Sequence, residues 1–125
     1  MTKPIKPKYP LFLRDVDEID TLKNNSSKGY SVVTVEDNFN IEAKPNTFYD
    51  IKNSEDDEIN ITFVDEEFYA NTVANEFVFN INSPANISFD KEIKWNNDNA
   101  PDLSKGGIYN ISIVNGVGCY TFVNS

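Results

Sequence analysis

Residues 107–123 read GIYNISIVNGVGCYTFV. Two runs of β-branched and aromatic residues flank Asn115-Gly116. An Asn-Gly pair in that setting is a strong hairpin signal, because a type I′ turn holds both central residues at φ > 0. A two-residue turn also fixes the pairing. Val114 faces Val117, Ile113 faces Gly118, Ser112 faces Cys119, Ile111 faces Tyr120, Asn110 faces Thr121 and Tyr109 faces Phe122. One face of the expected hairpin carries Tyr109, Ile111, Ile113, Gly118, Tyr120 and Phe122 and is nearly all apolar. The other carries Asn110, Ser112, Val114, Val117, Cys119 and Thr121 and is mixed. A slip of one residue would exchange the two faces, so burial of the apolar one specifies the register.

The preceding sequence has the same character. Strand-forming runs cover Tyr30 to Val35, Phe39 to Ala43, Thr47 to Ile51, Glu58 to Val64, Glu76 to Ile81, Ile87 to Phe89 and the short Ile93-Lys94-Trp95. In EINITFV, residues 58–64, Ile59, Ile61 and Phe63 point one way and Asn60 and Thr62 the other. Turn signals such as Lys44-Pro45-Asn46 and Ser83-Pro84 separate the runs. Residues 65–74 read as irregular. Eight or nine short strands with turn signals between them predict an all-β fold over residues 30–125, a β-sandwich or barrel. No internal repeat at solenoid or propeller spacing is visible.

Residues 1–14, MTKPIKPKYPLFLR, differ from everything after them. They hold three of the six prolines, four basic residues and no acid. Pro4, Pro7 and Pro10 favour an extended, polyproline-like path. This segment reads as an arm that docks on a neighbouring subunit, with a frayed tail as the alternative. Lys3, Lys6, Lys8, Tyr9 and Arg14 supply polar and charged contacts, and Leu11, Phe12 and Leu13 supply apolar ones. Over residues 15–29, Val16, Ile19 and Leu22 suit one short helical turn, followed by a polar loop. Acids early and a lysine late match the helix dipole.

With 125 residues the chain has the size of one domain. Nine Phe and six Tyr supply material for a core. The net charge of −9 disfavours nucleic acid and anionic membranes as partners, since both need a basic face. No apolar run has the length of a membrane span. Histidine is absent, which removes the commonest general base and the commonest transition-metal ligand. Cys119 is the single cysteine, so no internal disulfide forms. The chain has 18 Asn, a residue suited to turns and loops rather than helix interiors.

Few patterns suggest chemistry. The acidic runs Glu55-Asp56-Asp57-Glu58 and Asp65-Glu66-Glu67 offer oxygen ligands but lack the alternating spacing and glycine of a helix-loop-helix calcium site. They read as solvated loops, and no metal or cofactor is expected. Nothing selects two of the 20 acids as a glycosidase pair, so no catalytic residue is assigned. Trp95, the only tryptophan, reads as an edge-of-core residue, with ligand stacking as the alternative. The Asn-x-Ser/Thr sequences at Asn24, Asn25, Asn60, Asn86 and Asn110 follow from the abundance of Asn.

The carboxy-terminal pattern resembles bacteriophage virion structural proteins. It runs Ile93-x-Trp95, a polar loop with Pro101 and Leu103, Gly107, Tyr109-x-Ile111-x-Ile113, Asn115-Gly116 and an aromatic strand with Tyr120. Pro45 to Tyr49, followed by Glu58 to Phe63, resembles the start of the same module. The likeness spans about two-thirds of the chain, Lys44 to Val123. It implies a small β-sandwich or jelly roll, homotrimeric, found in head fibres, capsid decoration or auxiliary proteins and tail or baseplate fibres. Without a shaft segment before the module, the expectation is a non-catalytic decoration or auxiliary protein. It would be located on the virion and partnered by other virion proteins, the major capsid protein or a fibre partner. A receptor- or carbohydrate-binding fibre module is the alternative, and a depolymerase fragment the third reading.

Overall fold

The computed structural model describes residues 29–124. The arm with its docking residues Lys3, Lys6, Lys8, Tyr9, Leu11, Phe12, Leu13 and Arg14, and the helical turn after it, lie outside the described residues. The strands are β1 (Ser31–Val35), β2 (Asn40–Ala43), β3 (Thr47–Ile51), β4 (Asp57–Phe63), β5 (Asn75–Ile81), β6 (Ala85–Phe89), β7 (Lys94–Trp95), β8 (Gly107–Val114) and β9 (Val117–Asn124). One helical turn, α1 (Asp65–Phe68), interrupts the stretch expected to be irregular, and a 3₁₀ turn follows β7 at Asn96–Asp98. The fold is all-β, as expected.

The closing hairpin stands in the register that its residues specify, from Gly107 opposite Asn124 to Val114 opposite Val117. Asn115 at φ 49° and Gly116 at φ 76° make the turn. The strand order of the larger sheet is β1-β3-β5-β8-β9-β7, and that of the smaller is β2-β4-β6.

The first six strands alternate between these two sheets, and each of β3 to β6 pairs in parallel with the strand two places earlier. A parallel pair needs a crossover connection. Here a strand in the opposite layer provides it. The chain therefore winds from layer to layer before β8 and β9 close the larger sheet in antiparallel fashion. Jelly rolls are antiparallel throughout, and this pairing differs from that order over its first six strands. Ser31 lies opposite Thr47, and Thr47 opposite Phe77, so the windings take 16 and then 30 residues. Unequal windings leave no fixed period to find in the sequence.

The core lies between the layers. Ile41, Ala43, Ile59, Ile61 and Phe63 from the smaller sheet meet Tyr49, Ile51, Phe77, Phe79, Ile81, Tyr109, Ile111 and Ile113 from the larger. The rings of Phe63 and Phe77 make the contact edge to face at 5.0 Å. Each fully buried Ile or Phe contributes about 1.5–3 kcal/mol by leaving water. Tyr49, on β3, reaches back over the preceding turn. Its hydroxyl accepts from the Lys44 N–H at 2.7 Å and donates to the Glu42 carbonyl at 3.3 Å.

Asn53 is the polar clamp of the windings. It is buried, and its carboxamide uses its whole hydrogen-bonding capacity. Nδ2 donates to the carbonyls of Ser54 and Ser83, both at 2.9 Å, and Oδ1 accepts from the N–H groups of Asn82 and Ser83 at 3.0 and 3.2 Å. The loop after β3 is thereby tied to the turn between β5 and β6.

Candidate functional site

β7 is short because the chain leaves the edge of β9 after two residues. Lys94 pairs with Val117 and Trp95 with Gly118, and the chain then turns away at Asn96. Asn97 and Asp98 both sit at φ 56°, a left-handed conformation that short polar side chains tolerate best. Trp95 is half-buried. Its ring packs over Gly118 and stands edge-on to Tyr120 at 5.9 Å and 84°. It belongs to the rim of the hydrophobic core.

Two shallow grooves flank the Asn96–Asp98 turn. One, of about 520 Å³, is lined by Glu92, Ile93, Lys94, Trp95, Asp98 and Ala100. The other, of about 420 Å³, is lined by Asn96 to Asn99, Cys119 and Tyr120. Asp98 borders both. Carboxylates, amides and a partly open indole suit a neutral, hydroxyl-rich ligand better than an anion. Of these residues the sequence singled out Trp95. Asp98 carries no local signal, because it is the turn that brings it beside the groove.

The acidic runs are largely exposed, and one acid of each has a structural partner. Asp57 Oδ2 accepts from the Ser54 N–H at 2.7 Å and closes the turn into β4. Asp65, at the start of α1, pairs with Lys91 Nζ at 2.7 Å, and Asp90 pairs with the same amine at 3.1 Å. The Asp65 and Asp90 carboxylates raise the Lys91 amine above its ordinary value. Among the described residues no group of three or more His, Cys, Asp or Glu is placed to hold a metal ion. Cys119 is exposed on the outer face of β9. No described helix is long and apolar enough to cross a membrane.

Before β8, the loop of residues 99–106 is held by Tyr109. Its buried hydroxyl lies 2.8 Å from the Asp102 carbonyl and 2.5 Å from that of Lys105. Burial raises the phenol above its ordinary value. In the same loop the Ser104 hydroxyl and N–H hold the Asp102 carboxyl below its usual range.

Comparison with known proteins finds no matching family model, no matching curated protein and no matching solved structure.

Proposed function

We propose that this chain is a bacteriophage structural protein on the virion surface, a capsid auxiliary, decoration or head-fibre protein without catalytic activity. Its body is a two-layer β-sandwich that assembles as a homotrimer. The amino-terminal arm docks it on the major capsid protein or a fibre partner. The resemblance of residues 44–123 motivates the reading. The observation that supports it best is the engagement of Trp95: a ring wedged over Gly118 and set against Tyr120 serves packing before it serves a ligand. Val114, Val117 and Val123, which a monomer leaves exposed, are consistent with self-association. Mass spectrometry of virions washed at high salt tests the proposal. The chain should be present at a fixed stoichiometry, and its absence would overturn the reading.

A second reading, a receptor- or carbohydrate-binding tail-fibre or baseplate module, is favoured by the two grooves beside the Asn96–Asp98 turn. It predicts quenching or a shift of the single-tryptophan emission on addition of host-surface glycans. A Trp95→Ala variant would lose glycan binding under this reading.

A further inference from the structure

The larger sheet has two edges with an unusual composition. β1 forms one. At the other, β7 covers only Val117 and Gly118, so Cys119 to Asn124 of β9 have no strand beside them among the described residues. The chain carries 31 charged residues, yet SVVTV of β1 and VGCYTFVN of β9 contain none. The interior strands β3 and β5 carry Asp50 and Glu76. Edges of soluble sheets ordinarily carry charge or proline, which blocks pairing with another chain. Here β1 and the open stretch of β9 carry neither. The edges are also apolar, with Val32 66% exposed, Val33 42% and Val123 62%.

We propose that β1 of one copy pairs in parallel with Tyr120–Asn124 of β9 in a second copy, continuing the six-stranded sheet from molecule to molecule. The directions permit it. β1, β3 and β5 run together, β8 opposes β5, and β9 opposes β8, so β9 runs with β1.

The backbone permits it as well. Ser31 N–H donates to Asn46, and Val35 C=O accepts from Lys52, so the odd-numbered residues of β1 bond to β3. Val32 and Thr34 therefore direct their N–H and C=O groups outward. On β9 the odd-numbered residues bond across the hairpin. Gly116 turns its C=O to Lys94, on the side of the open edge, and Tyr120, Phe122 and Asn124 face the same way. With Val32 opposite Thr121, Val32 N–H meets the Tyr120 carbonyl and Phe122 N–H meets the Val32 carbonyl. Thr34 N–H then meets the Phe122 carbonyl, and Asn124 N–H meets that of Thr34. The five residues of β1 fill the five of β9.

The side chains agree in the same register. Val33 lies opposite Tyr49 in its own molecule and so belongs to the inner face, as Phe122 does through Tyr109. The exposed Val33 would stand beside the half-buried Phe122, and Val123 beside Thr34.

A second copy is the occupant these edges fit, because the two edges complete each other. Copies of net charge −9 repel, so edges free of carboxylates are favoured places for them to meet. The contact joins two different edges, so it is head-to-tail rather than self-complementary. Such head-to-tail contacts close into a ring or grow into an open chain. The pairing gives a surface to the proposed self-association without requiring the virion role. Failure to bind particles leaves it standing, and its own failure leaves attachment through the arm standing.

The test uses the full chain. Sedimentation velocity should show assemblies at tens of micromolar, strengthened by added salt as repulsion is screened. Thr34→Pro removes an outward N–H and no bond to β3, a place where proline is tolerated. It should keep the melting temperature and lose at least tenfold in association. In a Cys119→Ser background, Val32→Cys with Thr121→Cys should oxidise to disulfide-linked multimers. A chain that is monomeric at every concentration and salt, a Thr34→Pro variant that associates normally, or cross-linking by Val32→Cys alone would overturn the proposal.

Discussion

Trp95 lies so close over Gly118 that a β-carbon on the glycine would stand 3.1 Å from ring atom Cζ3 and 2.7 Å from Ile93 Cγ2. The glycine is therefore a seat for the indole. Gly118→Ala is expected to push the ring outward and destabilise the domain by about 1–3 kcal/mol, as overpacking does. Urea denaturation reads the loss, and a red shift of the single-tryptophan emission reads the displaced ring. An unchanged melt and spectrum would mean that Trp95 is a free platform, which would favour the glycan-binding reading.

Asn53 offers a polar counterpart. Its Nδ2 faces two carbonyls and its Oδ1 two N–H groups, all within 3.2 Å. Asn53→Asp replaces the donor with a second acceptor against the Ser54 and Ser83 carbonyls. A destabilisation of about 2–4 kcal/mol is expected at neutral pH from the buried, unmatched oxygen. Such a carboxyl binds its proton more tightly folded than unfolded. The deficit relative to the parent should therefore shrink as the pH falls into the carboxylate range. Urea melts of both chains across that range check the sign.

The residues made some of this legible. The hairpin was readable because its turn is local and its register follows from the alternation of Tyr109, Ile111 and Ile113. The inward set Ile59, Ile61 and Phe63 was readable for the same reason. The parallel windings were not, since the partners of Thr47 lie 16 residues upstream and 30 downstream, and no local pattern encodes that distance. The absence of a repeat was a true observation, but it did not bear on a winding of uneven turns. The role of Asn53 was hidden for a similar reason. It reads as one more Asn in an acidic loop, and its partners at Asn82 and Ser83 are set by the fold. In the candidate site, Trp95 could be named from its type, whereas Asp98 required the turn to be seen.

Tyr109 should make the fold sensitive to alkali. Burial raises its phenol in the folded state, so the folded chain holds that proton more tightly than the unfolded chain. The resulting stability is fully present below the ordinary phenol value of about 10 and is lost as the pH rises above it. Tyr109→Phe should remove this dependence. At neutral pH it should cost about 1–3 kcal/mol by leaving the Asp102 and Lys105 carbonyls without their donor. Thermal melts from neutral to alkaline pH, with phenolate absorbance followed in parallel, compare the two chains.

The arm tests the proposed attachment. Residues 1–14 carry four basic residues against 7 basic and 20 acidic in the rest, so arm and body differ in charge by sign. Pro4, Pro7 and Pro10 favour an extended reach, and Leu11, Phe12 and Leu13 supply apolar contact where it lands. Burial of two such side chains contributes about 3–6 kcal/mol before ordering costs. Deleting Met1 to Pro10 together with Phe12→Ser should leave the thermal melt of the β-domain unchanged. The same change should abolish co-sedimentation with purified virions. A truncated chain that still binds particles with unchanged affinity would remove the arm from the attachment and place the docking surface on the β-domain. The Thr34→Pro variant, with its arm intact, should still co-sediment, which separates attachment from assembly along the sheet edges.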